Sequence, residues 1–120
     1  MMTQTPAHVI AFDDPETPCT TSVIDDPALV TEPYTSHAWR HFTNPGKSAT
    51  AGIWEAGPHC QRESADYDEM CHILDGQVRL TDEDGTERVF GPGDSFTITR
   101  GFRGTWENLT HVRKVYFILG

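Results

Sequence analysis

The stretch DEMCHILDGQVRLTDEDGTERVFGPGDSF, Asp68 to Phe96, decides the fold. Asp68 to Leu74 reads as a strand, and Asp75-Gly76 ends it. Gln77 to Thr81 and Thr86 to Phe90 flank Asp82-Glu83-Asp84-Gly85, a hairpin loop with glycine where a positive φ is needed. Gly91-Pro92-Gly93-Asp94 is a tight turn into a strand from Ser95 to Thr99. Outward from this stretch the pattern repeats. Upstream, Asn44-Pro45-Gly46-Lys47 is a turn, Ala49 to Glu55 a strand, and Ala56-Gly57-Pro58 closes it. His59 and Cys60 fall in the loop that follows. Downstream, Arg100 to Gly104 is a loop before Thr105-Trp106-Glu107, and Val112 to Leu119 is the last strand. Short strands at this spacing, with no 3.6-residue period, predict an all-β sandwich or barrel.

The first third differs. Residues 1–37 form an acidic, proline-rich arm, and residues 38–120 form one barrel. Six acids and five of the eight prolines precede Arg40, the first basic residue. Each proline removes a donor and restricts its predecessor, so the arm is expected to be extended. Val9 to Phe12 and Ala28 to Val30 are its apolar anchors, for its own sheet or a second subunit. The last strand is apolar on both faces, with Val115, Phe117 and Leu119 on one side and Tyr116 and Ile118 beside Lys114 on the other. Such a strand is covered twice, which predicts a homodimer.

The 120 residues carry 9 basic and 18 acidic side chains, a formal charge of −9. Phosphate backbones and anionic lipid are poor partners for such a surface. No apolar run approaches the roughly 18–20 residues of a membrane span. The start has no basic and apolar leader pattern. Three widely spaced cysteines make neither a disulfide framework nor a CxxC metal site. A reducing cytoplasm is the expected location.

Gly52-Ile53-Trp54-Glu55, Tyr67-Asp68-Glu69, Ile73 to Gly76, Leu80 to Gly85, Phe90 to Phe96, Gly101 to Glu107 and Arg113 to Tyr116 occur in an order that resembles the cupin superfamily. The chain looks most like the small-cupin branch that includes domains of (S)-ureidoglycine aminohydrolases and an ethanolamine-utilisation protein. The resemblance implies a double-stranded β-helix, the jelly-roll barrel. Metal-binding cupins follow G-x5-H-x-H-x3,4-E-x6-G and then a second motif ending G-D-x4-P-x-G-x2-H-x3-N. Here Glu69 matches the carboxylate, with Gly76 at the right distance. With a three-residue spacer the two His positions are Glu63 and Ala65; with four they are Arg62 and Ser64. The second-motif His position is Gly104, with Asn108 at the Asn position.

Two carboxylates without imidazole hold a transition ion weakly, since nitrogen supplies most of the affinity. No cofactor is therefore expected. Glu63, Glu69 and His59 are the remaining candidates for a divalent metal. The resemblance places Glu69 inside the barrel, and alternation puts Cys71 on the same face. A carboxylate there must find a partner, with Lys114, Arg103, a tyrosine hydroxyl or water available, or take a proton. That makes Glu69 the candidate general acid or base. The pocket is expected to comprise Trp54, Glu69, Cys71, Phe96, Trp106 and Lys114. Three readings follow: metal-free binding of a small polar molecule, a metal-dependent enzyme on a small nitrogenous substrate, and a structural dimer subunit. The first fits the degenerate ligand set. The third requires a filled barrel with no cavity.

Overall fold

The structure, a computed structural model, describes residues 5–120. Its strands are β1 (Cys19–Ile24), β2 (Tyr34–Asn44), β3 (Ala49–Ala56), β4 (His59–Ser64), β5 (Asp68–Asp75), β6 (Val78–Asp82), β7 (Glu87–Phe90), β8 (Ser95–Ile98), β9 (Arg103–Asn108) and β10 (Val112–Leu119). They form two antiparallel sheets, ordered β1-β2-β3-β10-β5-β8 and β4-β9-β6-β7. This is the all-β jelly-roll architecture that the turn spacing predicts. Gly85 adopts φ of 85°, the reason read for it in the sequence, and Gly93 in the next turn adopts φ of 87°.

Alternation along each strand fills the space between the sheets. Ile73, Val78 and Val112 are fully buried, and Cys71, Ile98 and Trp106 join them in one apolar cluster. Burying each aliphatic side chain contributes roughly 1.5–3 kcal/mol. This cluster fills one half of the barrel. The other half, under β1, β2 and β4, is left to polar side chains.

Two strands differ from the sequence reading. β4 occupies residues read as loop, and β1 lies within the arm. Both are polar. β4 turns His59, Gln61 and Glu63 inward instead of apolar residues, and hydrophobic alternation cannot detect a strand that faces a polar interior. β2 starts at Tyr34, so the last four residues assigned to the arm are sheet. Between β1 and β2 the chain crosses to the opposite sheet, where Val30 bridges to Gln61. Arg62 fastens this crossing. Its Nε donates to the Ala28 carbonyl (2.8 Å), its Nη2 to the Pro27 carbonyl (2.6 Å), and its backbone N–H to the Leu29 carbonyl (2.8 Å). The arm also touches β2 where Phe12 stacks on His41. Its described residues do not cover the outer face of β10, where Phe117 and Leu119 are exposed.

β2 is bulged between Trp39 and Phe42, which pushes its backbone against β3. A Cβ at Gly52 would lie 1.9 Å from the Trp39 carbonyl oxygen, so only glycine fits opposite the bulge. The bulge carries Arg40 to the rim of the cavity.

No helix among the described residues is long and apolar enough to cross a membrane.

Candidate functional site

The polar half of the barrel holds a cavity of about 400 Å³ between the two sheets, open to solvent on one side. Its floor is an ion pair. Lys114, inward on β10, donates from Nζ to Glu69 Oε2 on β5 at 2.8 Å. The two side chains are only 8% and 10% exposed, so water screens the pair little. The ammonium also lies over two indoles, 4.1 Å from the Trp106 ring centroid and 4.8 Å from that of Trp54. The Trp54 contact follows from register, because Trp54 faces Lys114 directly on β3. Trp106 comes from the opposite sheet, so the ammonium sits between the two layers. Cation–π contacts of this kind are worth about 2 kcal/mol when desolvated.

Burial by itself disfavours the ammonium, but the acidic groups around it, Cys71, Glu69 and Glu63, outweigh that and hold Lys114 above the ordinary lysine range. The Cys71 thiol is pushed up to about 12, first by burial and then by Glu69, against the opposing pull of Lys114. It is neutral at physiological pH, so the carboxylates are the counter-ions that matter. A thiol held neutral and fully enclosed is no nucleophile.

The wall is β4. His59, Gln61 and Glu63 share its inner face at two-residue spacing. Burial, helped by the Glu69 charge and opposed by Lys114, raises the Glu63 carboxyl from 4.5 to about 7. Gln61 links Glu63 to Tyr34: its Nε2 donates to Glu63 Oε1 at 3.3 Å, and the Tyr34 hydroxyl donates to Gln61 Oε1. Tyr34 stacks face to face on His59, with centroids 3.5 Å apart. Burial and the neighbouring Lys114 lower the His59 pKa, against a raising contribution from the Gly57 carbonyl. The ring is therefore neutral near pH 7. Its Nδ1 lies 2.8 Å from the Gly57 carbonyl, which can only accept, so Nδ1 carries the proton. Nε2 is left as a buried acceptor with no partner among the described residues.

Of the six residues expected in the pocket, Trp54, Glu69, Trp106 and Lys114 line the cavity together. Cys71 lies beneath its floor, with Sγ 3.7 Å from Lys114 Nζ. Phe96 is on the far side of Trp106. It stacks on Phe90 at 4.1 Å and borders a separate cleft of about 260 Å³. Of the residues considered for a metal, His59 and Glu63 also line the cavity. Tyr34, Arg40, Gln61 and Tyr116 belong to it as well and were not singled out from sequence. The His-x-Gln-x-Glu alternation of β4 was the available signal for Gln61. Two-residue spacing from Lys114 on the last strand marks Tyr116, and nothing local marks Tyr34 or Arg40.

A divalent metal does not fit these donors. The inward motif positions on and after β4 are Glu63 and Ala65, and Ala65 offers no ligand. Gly104 faces Glu63 across the β4–β9 ladder. A Cβ there would lie 1.9 Å from the Thr81 carbonyl oxygen, so this backbone admits no imidazole. Asn108 is engaged in joining the sheets: Oδ1 accepts from Trp106 Nε1 (2.7 Å), and Nδ2 donates to the Ala56 and Gly57 carbonyls (3.1 Å each). Glu69 is already bonded to a cation.

Comparison with known proteins agrees with the fold. A family model described as "EutQ-like cupin domain" matches residues 43–116. A protein of unknown function of the DUF861 family from Pseudomonas syringae superposes with a TM-score of 0.76 at 21% identity over 86% of this chain, which spans only 45% of that protein. The EutQ protein of Clostridium difficile superposes with a TM-score of 0.63 at 17% identity, over 72% of this chain and 68% of that one. A DUF861 family protein from Thermotoga maritima is 41% identical over 53% of this chain and 73% of its own, with a TM-score of 0.51. No curated protein matches the sequence.

Proposed function

The chain belongs to the EutQ-like cupin domain family, and from that premise we propose that it binds a small polar organic molecule inside its barrel, without a metal ion. The observation that carries this reading is the cavity of about 400 Å³, placed where a barrel built only for stability would continue its apolar packing. A structural subunit has no need for this space or for the buried polar groups around it. The polar side chains of His59, Gln61 and Glu63 along the cavity wall favour a ligand with polar N–H or O–H groups. Trp54 and Tyr34 offer it flat apolar walls.

The test is a thermal-shift screen of small amines, amides and polyols on chelator-treated protein, followed by calorimetry on any hit. At least one compound should bind saturably, and Glu63→Gln or His59→Phe should weaken it at least tenfold. The structural reading takes over if no compound of the panel binds while Ala38→Leu, which fills the cavity, simply raises stability.

A second reading rests on one observation, the Glu63 carboxyl near 7. A group poised there suits general acid–base work on a small nitrogenous substrate. That agrees with the sequence resemblance to (S)-ureidoglycine aminohydrolase domains. A bell-shaped rate profile with one limb abolished by Glu63→Gln would support it.

A further inference from the structure

We propose that the Lys114 ammonium is the resident cation of this barrel, standing where the motif carboxylate of a metal-binding cupin would hold a divalent ion, and that it excludes such ions. The inference deepens the metal-free reading of the cavity and rests on it.

Three observations converge. The first is the partner. Glu69 is the one ligand of the metal motif that this chain retains, and Lys114 Nζ binds its Oε2 at 2.8 Å. The second is enclosure. Cys71 Sγ lies 3.7 Å below Nζ and the rings of Trp54 and Trp106 flank it. The cation is thus held on several sides at the centre of the barrel, as a metal would be. The third is the missing fourth side. Gly104, at the second-motif position, sits where the Thr81 carbonyl leaves no room for a Cβ. This barrel therefore has no imidazole at the motif positions and a fixed positive charge beside the motif carboxylate.

A divalent ion on Glu69 would sit about 2.1 Å from a carboxylate oxygen. Nζ lies 2.8 Å from Oε2, so an ion on that oxygen would be within roughly 5 Å of the ammonium. Tryptophan faces stabilise an ammonium but supply no σ-donor to a transition metal. With Lys114 in place the carboxylate is neutralised inside the protein and no metal loading is required.

The experiment uses protein prepared without a histidine tag. Wild type, Lys114→Met and Lys114→Arg are each dialysed against zinc and against cobalt(II), and bound metal is measured by elemental analysis and titration. Folding of each variant is checked by circular dichroism. Wild type and Lys114→Arg are expected to remain below about 0.1 metal per chain. Lys114→Met is expected to bind zinc at least tenfold more tightly than wild type, through Glu69 and Cys71, with cobalt giving a thiolate charge-transfer band. Adding Glu69→Gln to Lys114→Met should abolish the gain. Stoichiometric metal on the wild type overturns the proposal, and this arm does not depend on any variant folding. Equal affinity in Lys114→Met and Lys114→Arg, both folded, overturns it too. A ligand screen that fails while the metal results hold rejects organic binding alone.

Discussion

Removing Glu69 while leaving Lys114 in place is the sharpest perturbation of this barrel. The pair is 2.8 Å long, with side chains 8% and 10% exposed. Glu69→Leu strands a buried ammonium between two indoles without an acceptor. Breaking a buried pair from one side costs about 3–5 kcal/mol. Unfolding entropy is about 2.1 cal/mol/K per residue, or about 0.25 kcal/mol/K for 120 residues. The expected fall in Tm is therefore about 12–20 °C. Adding Lys114→Met should restore most of it, because replacing both charges with apolar groups of similar volume is often neutral or stabilising. The coupling from the double-mutant cycle should be about 3 kcal/mol. Guanidinium denaturation at pH 7.5 and calorimetry of the four proteins give the cycle. A Glu69→Leu cost below about 1 kcal/mol, or a double mutant no better than the single one, would mean that the ion pair is solvated and does not organise the site.

Three further outcomes follow from the same structure. The folded-state pKa of Glu63 is raised to about 7, so the native state holds a proton that the unfolded chain has released. Its contribution to stability is present below about pH 4.5 and lost as pH rises to 7, by an amount on the order of 1–3 kcal/mol; Glu63→Gln should flatten this slope in denaturation curves taken from pH 5 to 8. Gly104→Ala should lower stability by at least about 2 kcal/mol in the same assay, since its Cβ meets the Thr81 backbone at 1.9 Å, and no loss at all would mean the β9 backbone shifts freely. The outer face of the large sheet exposes Phe117, Leu119, Met70 and Leu74. We propose that it pairs two copies of the chain, and Phe117→Glu should convert a dimer to a monomer by light scattering with an unchanged circular dichroism spectrum.

The fold was legible because its signals are local. Gly85 and Gly93 mark turns by their own backbone needs, and the short apolar runs between such turns mark the strands. The cupin resemblance placed Glu69 inside the barrel, and the strand positions of Trp54, Trp106 and Lys114 put them around it. Alternation identifies a face but not a depth, which is why Phe96 and Cys71 share the inward face yet lie in the packed half or under the floor. β4 went unread as a strand because the cavity it faces is polar, so its strand pattern is His-x-Gln-x-Glu and not an apolar one. Tyr34 reaches the site from 25 residues before His59, through a crossing that Arg62 holds to the carbonyls of Pro27 and Ala28. That connection is tertiary, and no local pattern encodes it.

The most direct measurement is native mass spectrometry of untagged protein purified gently from its expression host, paired with elemental analysis of the same sample. The expected result is a small organic mass on the native chain that disappears on denaturation, with no transition metal. A bare chain carrying one transition metal would contradict both the metal-free cavity and the role given to Lys114.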